Sequence, residues 1–187
     1  MRLFAAVLPP ADRLAELGRP VDALCALPGA DALRWAGRDN WHLTLAFLGE
    51  VDDAVRPDLH ERLARAARRT PPFELRLHGG GRFGDHVLWA GVAGGLDPLR
   101  LLAERVDAAA RRAGVAMEEH RRYHPHLTLA RSRAGADLRP YTDALAPFEG
   151  TAWRVAEVFL VRSNLPVSGV PAELPRYDVV GRWPLGA

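Results

Sequence analysis

His42-Leu43-Thr44-Leu45-Ala46 is repeated, residue for residue, as His126-Leu127-Thr128-Leu129-Ala130. In an extended strand, side chains two residues apart point to the same face. The repeat therefore predicts two strands, each with a histidine and a threonine on one face and two leucines on the other. The copies begin 126 − 42 = 84 residues apart, close to half of the 187-residue chain. Beyond the pentapeptide the two halves do not align by eye.

The spacing of apolar residues predicts the other elements. Helical spacing is found over 12–27, 52–69 and 96–113. Strand-like patterns are found over 2–8, 33–36, 41–48, 73–77, 87–92, 126–130, 154–162 and 177–183. The glycine-rich stretch 78–85 is predicted to be a loop, and 134–150, rich in Pro and Gly, to be irregular. This order indicates an α+β fold. Because no linker separates independent domains, we expect residues 1–187 to form one unit.

Composition limits the classes of function. The chain is 48% hydrophobic and 26% charged, with a net charge of +2, which is ordinary for a globular protein and indicates no strong nucleic-acid clamp. No apolar run is long enough to span a bilayer, and the single cysteine, Cys25, fits a reducing cytoplasm. The chain has no lysine. This excludes a phosphate-loop lysine and a lysine nucleotidylated by ATP.

The repeated residues are suited to acid–base chemistry around a phosphodiester. If the two strands face each other, one neutral imidazole can take a proton from the attacking water, and the other, protonated, can give one to the leaving oxygen. Thr44 and Thr128 can donate hydrogen bonds to phosphoryl oxygens, where charge develops in the transition state. Arg131, whose planar guanidinium suits phosphate, is a further candidate. Phe47 is a candidate for stacking on a base.

Each of these residues also has a structural interpretation. A single histidine in a strand is usually structural or exposed, threonine is a common strand residue, and phenylalanine is more often part of the core. Repetition of the whole pentapeptide favours function for the histidines and threonines. His124-Pro125-His126 would permit a zinc site together with His42, but no carboxylate or cysteine recurs at metal-binding spacing, so no metal is predicted. No Gly-x-Ser-x-Gly motif supports a serine nucleophile.

At these residues the chain resembles the two-histidine phosphoesterase superfamily, which is defined by two His-x-Thr-x motifs. More narrowly, it is similar to the bacterial and archaeal RNA 2′,3′-cyclic phosphodiesterases, also called 2′-5′ RNA ligases. The resemblance extends over nearly the whole chain and is carried by residues 2–6, 40–50, 87–92, 124–131 and the aromatic, basic stretch 177–183. The two motifs are specific together and weak apart.

The resemblance implies a bilobal fold with pseudo-two-fold symmetry, in which antiparallel sheets line a central cleft and helices lie outside. It implies metal-independent hydrolysis of RNA or nucleoside 2′,3′-cyclic phosphates to 2′-phosphates, without a cofactor. His42 would be the general acid and His126 the general base, while Thr44 and Thr128 hold the phosphoryl oxygens. In reverse, the same site would join a 5′-hydroxyl to a cyclic phosphate without ATP. We expect a monomer whose partners are RNA ends or cyclic nucleotides, with no membrane partner.

Two alternatives remain open from the sequence. The same site could act on another substrate, such as ADP-ribose 1″,2″-cyclic phosphate, 2′-5′ oligoadenylates or U-tailed RNA. The chain could instead be a non-catalytic module that binds RNA ends. Binding alone would not require two imidazoles, so the paired histidines favour an enzyme.

Overall fold

A computed structural model describes residues 1–119, 122–166 and 174–186 of the chain. Its strands are β1 (Arg2–Val7), β2 (Arg34–Trp35), β3 (Leu43–Glu50), β4 (Phe73–Phe83), β5 (Val87–Gly94), β6 (Leu127–Arg131), β7 (Trp153–Val155), β8 (Glu157–Asn164) and β9 (Arg176–Pro184). Its helices are α1 (Ala11–Cys25), α2 (Arg56–Arg68), α3 (Leu96–Arg112) and α4 (Arg139–Leu145). The strands form two antiparallel sheets, ordered β3-β1-β8-β9 and β2-β6-β5-β4-β7. The predicted α+β class is confirmed.

The two copies of the repeat lie in different sheets. β3 is one of the two edge strands of the four-stranded sheet, and β6 lies next to the short edge strand β2 of the five-stranded sheet. Helices α2 and α3 pack against each other and against β9 and β3, whereas α4 packs against β4, β5 and α1. This agrees with the predicted bilobal arrangement. The leucines of both repeats belong to one hydrophobic cluster, so the two sheets share a core.

Glycines 79–81 do not form the predicted loop, because β4 continues through them to Phe83. Gly81 lies opposite Trp89 on β5, and a Cβ added at Gly81 would approach the indole ring to 2.3 Å. Glycine in the interior of a strand often marks such a close approach. The glycine run therefore makes room for the tryptophan ring across the sheet.

Two other predictions are also wrong in part. The stretch 134–150 contains α4, which buries Tyr141 and Leu145 and begins with Pro140 in its first turn, where the missing N–H is tolerated. The single strand predicted over 154–162 is two strands, β7 and β8, in different sheets. The apolar pattern continues across Ala156 because the chain passes from one buried sheet to the other. Within the described part of the chain, no helix is long and apolar enough to cross a membrane.

Candidate active site

The two repeat histidines have the same position and the same backbone partner. Each immediately precedes its strand, and its ring nitrogen Nδ1 lies near the carbonyl oxygen two residues before it. The Nδ1–O distance is 2.6 Å from His42 to Asn40 and 2.8 Å from His126 to His124. A carbonyl oxygen can only accept, so Nδ1 donates the hydrogen bond. In the neutral ring, Nε2 then carries the lone pair.

A β-bulge occurs at the same place in both repeats. In β3 the register to β1 shifts between Thr44 and Ala46, and in β6 the register to β5 shifts between Thr128 and Ala130. Each shift leaves one extra residue, the second leucine of the pentapeptide. The threonines are half-buried, while the leucine and alanine after each are buried. The regular alternation of faces is therefore broken inside both motifs.

The bulges determine where Phe47 and Arg131 lie. Each is five residues after its histidine, so strict alternation would place it on the opposite face, with the core leucines. The extra residue returns it to the face of the histidine and threonine. Both residues are exposed, Phe47 to 65%. The two candidates thus occupy equivalent positions, one aromatic and one cationic, in the two halves.

Burial lowers the pKa of His42, and so does the positive charge of His126, while the hydrogen bond to Asn40 opposes the shift. Burial also lowers the pKa of His126. The charge of Arg131 lowers the pKa of both histidines. The structure therefore brings these three groups close enough to interact. The two imidazoles repel each other when both are charged, so protonation of one makes protonation of the other less favourable.

Aromatic rings surround both histidines, and sequence analysis did not select them as site residues. The ring centroid of His42 lies 4.6 Å from Phe4 and 5.3 Å from Tyr177. That of His126 lies 4.8 Å from Phe83, in a T-shaped arrangement. Phe4 and Tyr177 fall within the stretches that carry the family resemblance, and that could have identified them as site residues. Phe83 had no such signal, because it was placed in the predicted loop.

A cavity of about 970 Å³ extends from the repeats to α3. It is lined by Thr44, Phe47 and His126, together with Phe83 and residues of the outer face of α3. Ligand pockets usually measure roughly 300–1,000 Å³, so this one is at the upper end. Trp41, the residue before His42, is buried in the core and is not available to stack on a base.

The zinc alternative requires the imidazoles of His124, His126 and His42 to bind one ion. The ring centroids of His124 and His126 are 6.4 Å apart. Within residues 1–119, 122–166 and 174–186, no three or more His, Cys, Asp or Glu side chains are grouped so that they could hold a metal ion. His120 lies outside the described residues.

Two similar half-sites on two antiparallel sheets, with helices outside, define a class of protein that the comparisons identify. A family model for the 2′-5′ RNA ligase superfamily matches residues 12–165. The chain is 32% identical to an RNA 2′,3′-cyclic phosphodiesterase of Geobacillus stearothermophilus, over 81% of this chain and 47% of that protein. It is 34% identical to the Thermus thermophilus protein of the same name, over 99% of this chain and 90% of that protein.

Solved structures agree with this relationship. Escherichia coli LigT in apo form aligns with a TM-score of 0.77 at 28% identity, covering 100% of this chain and 98% of that chain. LigT complexed with 3′-AMP aligns with a TM-score of 0.74 at 29% identity, covering 98% and 96%. The chain belongs to the 2′-5′ RNA ligase superfamily, as predicted. It spans about half the length of the Geobacillus relative and most of the Thermus relative.

Proposed function

We propose that this protein hydrolyses RNA 2′,3′-cyclic phosphate ends to 2′-phosphates with two histidines and no metal ion. The observation that carries the proposal is the matched pair His42 and His126, each held through Nδ1 by a carbonyl and each affected by the same arginine. The named activity of the curated relatives supports the enzyme class. The proposed enzyme is a single two-lobed domain over residues 1–187.

The proposed reaction uses Nε2 of each histidine. His126 takes a proton from water as the water oxygen attacks phosphorus. The bond from phosphorus to O3′ breaks, and His42 gives its Nε2 proton to O3′. The products are a 2′-phosphate and a 3′-hydroxyl. His126 then releases its proton to solvent and His42 takes one up, which restores the pair. The assignment of acid and base follows the order of the family motifs.

The remaining candidates would hold the phosphate. Thr44 and Thr128 lie on the histidine faces of their strands and would donate hydroxyl hydrogen bonds to the non-bridging oxygens. Arg131 would add a full positive charge, and a charge-assisted hydrogen bond is about twice as strong as a neutral one. Phe47 lines the same cavity as Thr44 and would contact the nucleoside.

We also propose that the site can run in the joining direction. A 5′-hydroxyl would replace water, and its oxygen would attack the cyclic phosphate as O3′ leaves, which forms a 2′-5′ linkage. The energy comes from the strained cyclic ester, so no ATP is consumed. The identity of the superfamily supports this second direction.

One experiment tests the proposal directly. Purified protein is incubated with 2′,3′-cyclic AMP, with and without EDTA, and 2′-AMP is separated from 3′-AMP. We expect 2′-AMP at the same rate in both samples. Loss of activity on chelation would contradict the metal-free mechanism, and 3′-AMP would reverse which oxygen leaves.

Variants test the role of the pair. His42→Ala and His126→Ala should each lower kcat by about 10²–10⁴-fold, because each removes one proton-transfer group. His78→Ala is the matched control, since His78 is exposed on β4 and does not line the cavity. Unfolding temperatures should stay close to that of the wild type. A variant of either repeat histidine that retained full rate would disprove its assigned role.

A further inference from the structure

A second groove lies between α2 and α3, on the outside of the molecule. It has a volume of about 350 Å³ and is lined by five arginines and one glutamate: Arg62, Arg65, Arg69, Arg105, Arg112 and Glu104. The whole chain has a net charge of only +2. Five arginines against one glutamate in the lining concentrate positive charge in this groove.

Among the residues that the structure describes, two of the five arginines have an acidic partner and three do not. Arg62 and Arg65 form ion pairs along α2 with Asp58 and Glu61. Arg105 instead donates to neutral oxygens, the carbonyl of Arg69 at 2.6 Å and the hydroxyl of Thr70 at 2.8 Å, which holds its guanidinium between the helices without neutralising it.

Arg69 and Arg112, at the ends of the two helices, are both exposed. Within the described part of the chain neither of them forms an ion pair. Together with Arg105 they leave three cations free to attract an anion.

The groove adjoins the catalytic cleft. Along α3, residues 100, 103, 104, 107 and 111 line the large cavity, and residues 101, 104, 105, 108, 109 and 112 line the basic groove. These are neighbouring stripes of one helix, offset by a single residue, and Glu104 belongs to both. An extended ligand that leaves the cleft over Glu104 therefore enters the groove directly.

We propose that this basic groove binds the phosphate backbone of the single-stranded RNA that extends from the cyclic phosphate end. The inference rests on the proposed function, which places the end of the strand in the cleft. A row of cations beside a substrate site is the arrangement that attracts a repeating polyanion, and such contacts are independent of sequence. A 2′,3′-cyclic mononucleotide carries no backbone phosphate beyond the one in the cleft, so it has no phosphate to place in the groove.

The test compares substrates of different length on the same variants. Arg69→Gln with Arg112→Gln removes two free charges and leaves the contacts of Arg105 intact. We expect KM for a ten-nucleotide RNA ending in 2′,3′-cyclic phosphate to rise by about 3- to 30-fold. KM for 2′,3′-cyclic AMP should not change. The dependence of log KM on log salt should become less steep by about 1.4, or about 0.7 per phosphate contact.

Two further variants make the result specific. Arg19→Gln with Arg154→Gln lowers the net charge equally at exposed sites outside both cavities, and should leave KM for the RNA unchanged. Glu104→Gln removes the negative charge at the junction, and should lower KM for the RNA. An equal effect of the groove and control variants, or a groove variant that binds RNA like the wild type, would overturn the proposal.

Failure of the proposed function would look different. If the wild type does not turn over 2′,3′-cyclic AMP, the catalytic proposal fails, while fluorescence anisotropy with 5′-labelled RNA still measures the groove. If the wild type turns over the mononucleotide and the groove variant loses no RNA affinity, only the groove proposal fails. Unfolding temperatures of all variants establish that they are folded.

Discussion

Substitution of Gly81 by alanine tests whether the packing of the Trp89 ring positions the residues around His126. A Cβ at this residue would lie 2.3 Å from Cη2 and 2.4 Å from Cζ2 of Trp89. Carbon atoms pack best at about 3.5–4.0 Å, so in Gly81→Ala the ring must move by at least about 1 Å. The indole lies 5.0 Å from the ring of His124 and 5.4 Å from that of Phe83. Phe83 in turn contacts the ring of His126.

Two effects should follow. Overpacking of this kind costs about 1–3 kcal/mol of unfolding free energy. For a chain of this size, each kcal/mol lowers the unfolding temperature by about 2–4 °C. A displacement of about 1 Å next to a catalytic group can lower the rate by up to about 10²-fold. Gly81→Ala should therefore lose several degrees of stability and much of kcat/KM on 2′,3′-cyclic AMP.

Thermal unfolding and steady-state kinetics of five proteins measure these effects: the wild type, Gly81→Ala, Trp89→Phe, the variant with both changes, and Gly37→Ala as a control. In Gly37→Ala the new Cβ would lie 3.5 Å from Leu174, an ordinary contact, at a φ of −62° that alanine adopts freely, so this control should stay near wild type. The cost of Gly81→Ala should shrink in a Trp89→Phe background, where the smaller ring leaves room. An undiminished cost in that background would refute the steric explanation.

Two other predictions concern charge at the site. Because the pKa of both histidines is lowered, kcat/KM for 2′,3′-cyclic AMP should be bell-shaped with an optimum below about pH 6.5, and an optimum above pH 8 would contradict the assignment. The same shifts make the unfolded state bind more protons, so unfolding free energy should fall as the pH drops below about 6.5. Arg131→Ala should lower kcat/KM by about 10- to 150-fold and move the acid limb to higher pH, because Arg131 lowers the pKa of both histidines. Arg131→Lys should restore the position of the acid limb but only part of kcat/KM, since lysine keeps the charge and lacks the planar guanidinium. An unshifted acid limb in Arg131→Ala would contradict the electrostatic interaction between Arg131 and the histidines.

Much of the fold could be predicted because it depends on local periodicity. The strongest helix, expected over 96–113, is Leu96–Arg112 in the structure. The loop predicted at the triple glycine was wrong for a non-local reason. These glycines belong to β4, where they make room for the Trp89 ring on the neighbouring strand. The single strand predicted over 154–162 was wrong because an apolar pattern indicates only that residues are buried. Burial in either sheet gives the same pattern, so the passage from β7 to β8 could not be seen.

The candidate site divides in the same way. Thr44 and Thr128 could be placed beside their histidines because two residues of strand separate each pair. Phe47 and Arg131 could not be placed on that face by alternation, and only the bulges put them there. The rings of Phe4 and Phe83 reach the histidines from other strands, which no spacing within the motifs encodes.

The sequence by itself determined the repeated pentapeptide, the two faces of each copy and the family, because these depend on residue identity and on a period of two. The tertiary structure decided which strand pairs with each copy, which leucine is left unpaired, and how close the two imidazoles and Arg131 come to one another. Those features depend on hydrogen-bond register and packing between residues far apart in the chain. A strand pattern specifies the direction of a side chain, and only the neighbouring strand specifies what it meets.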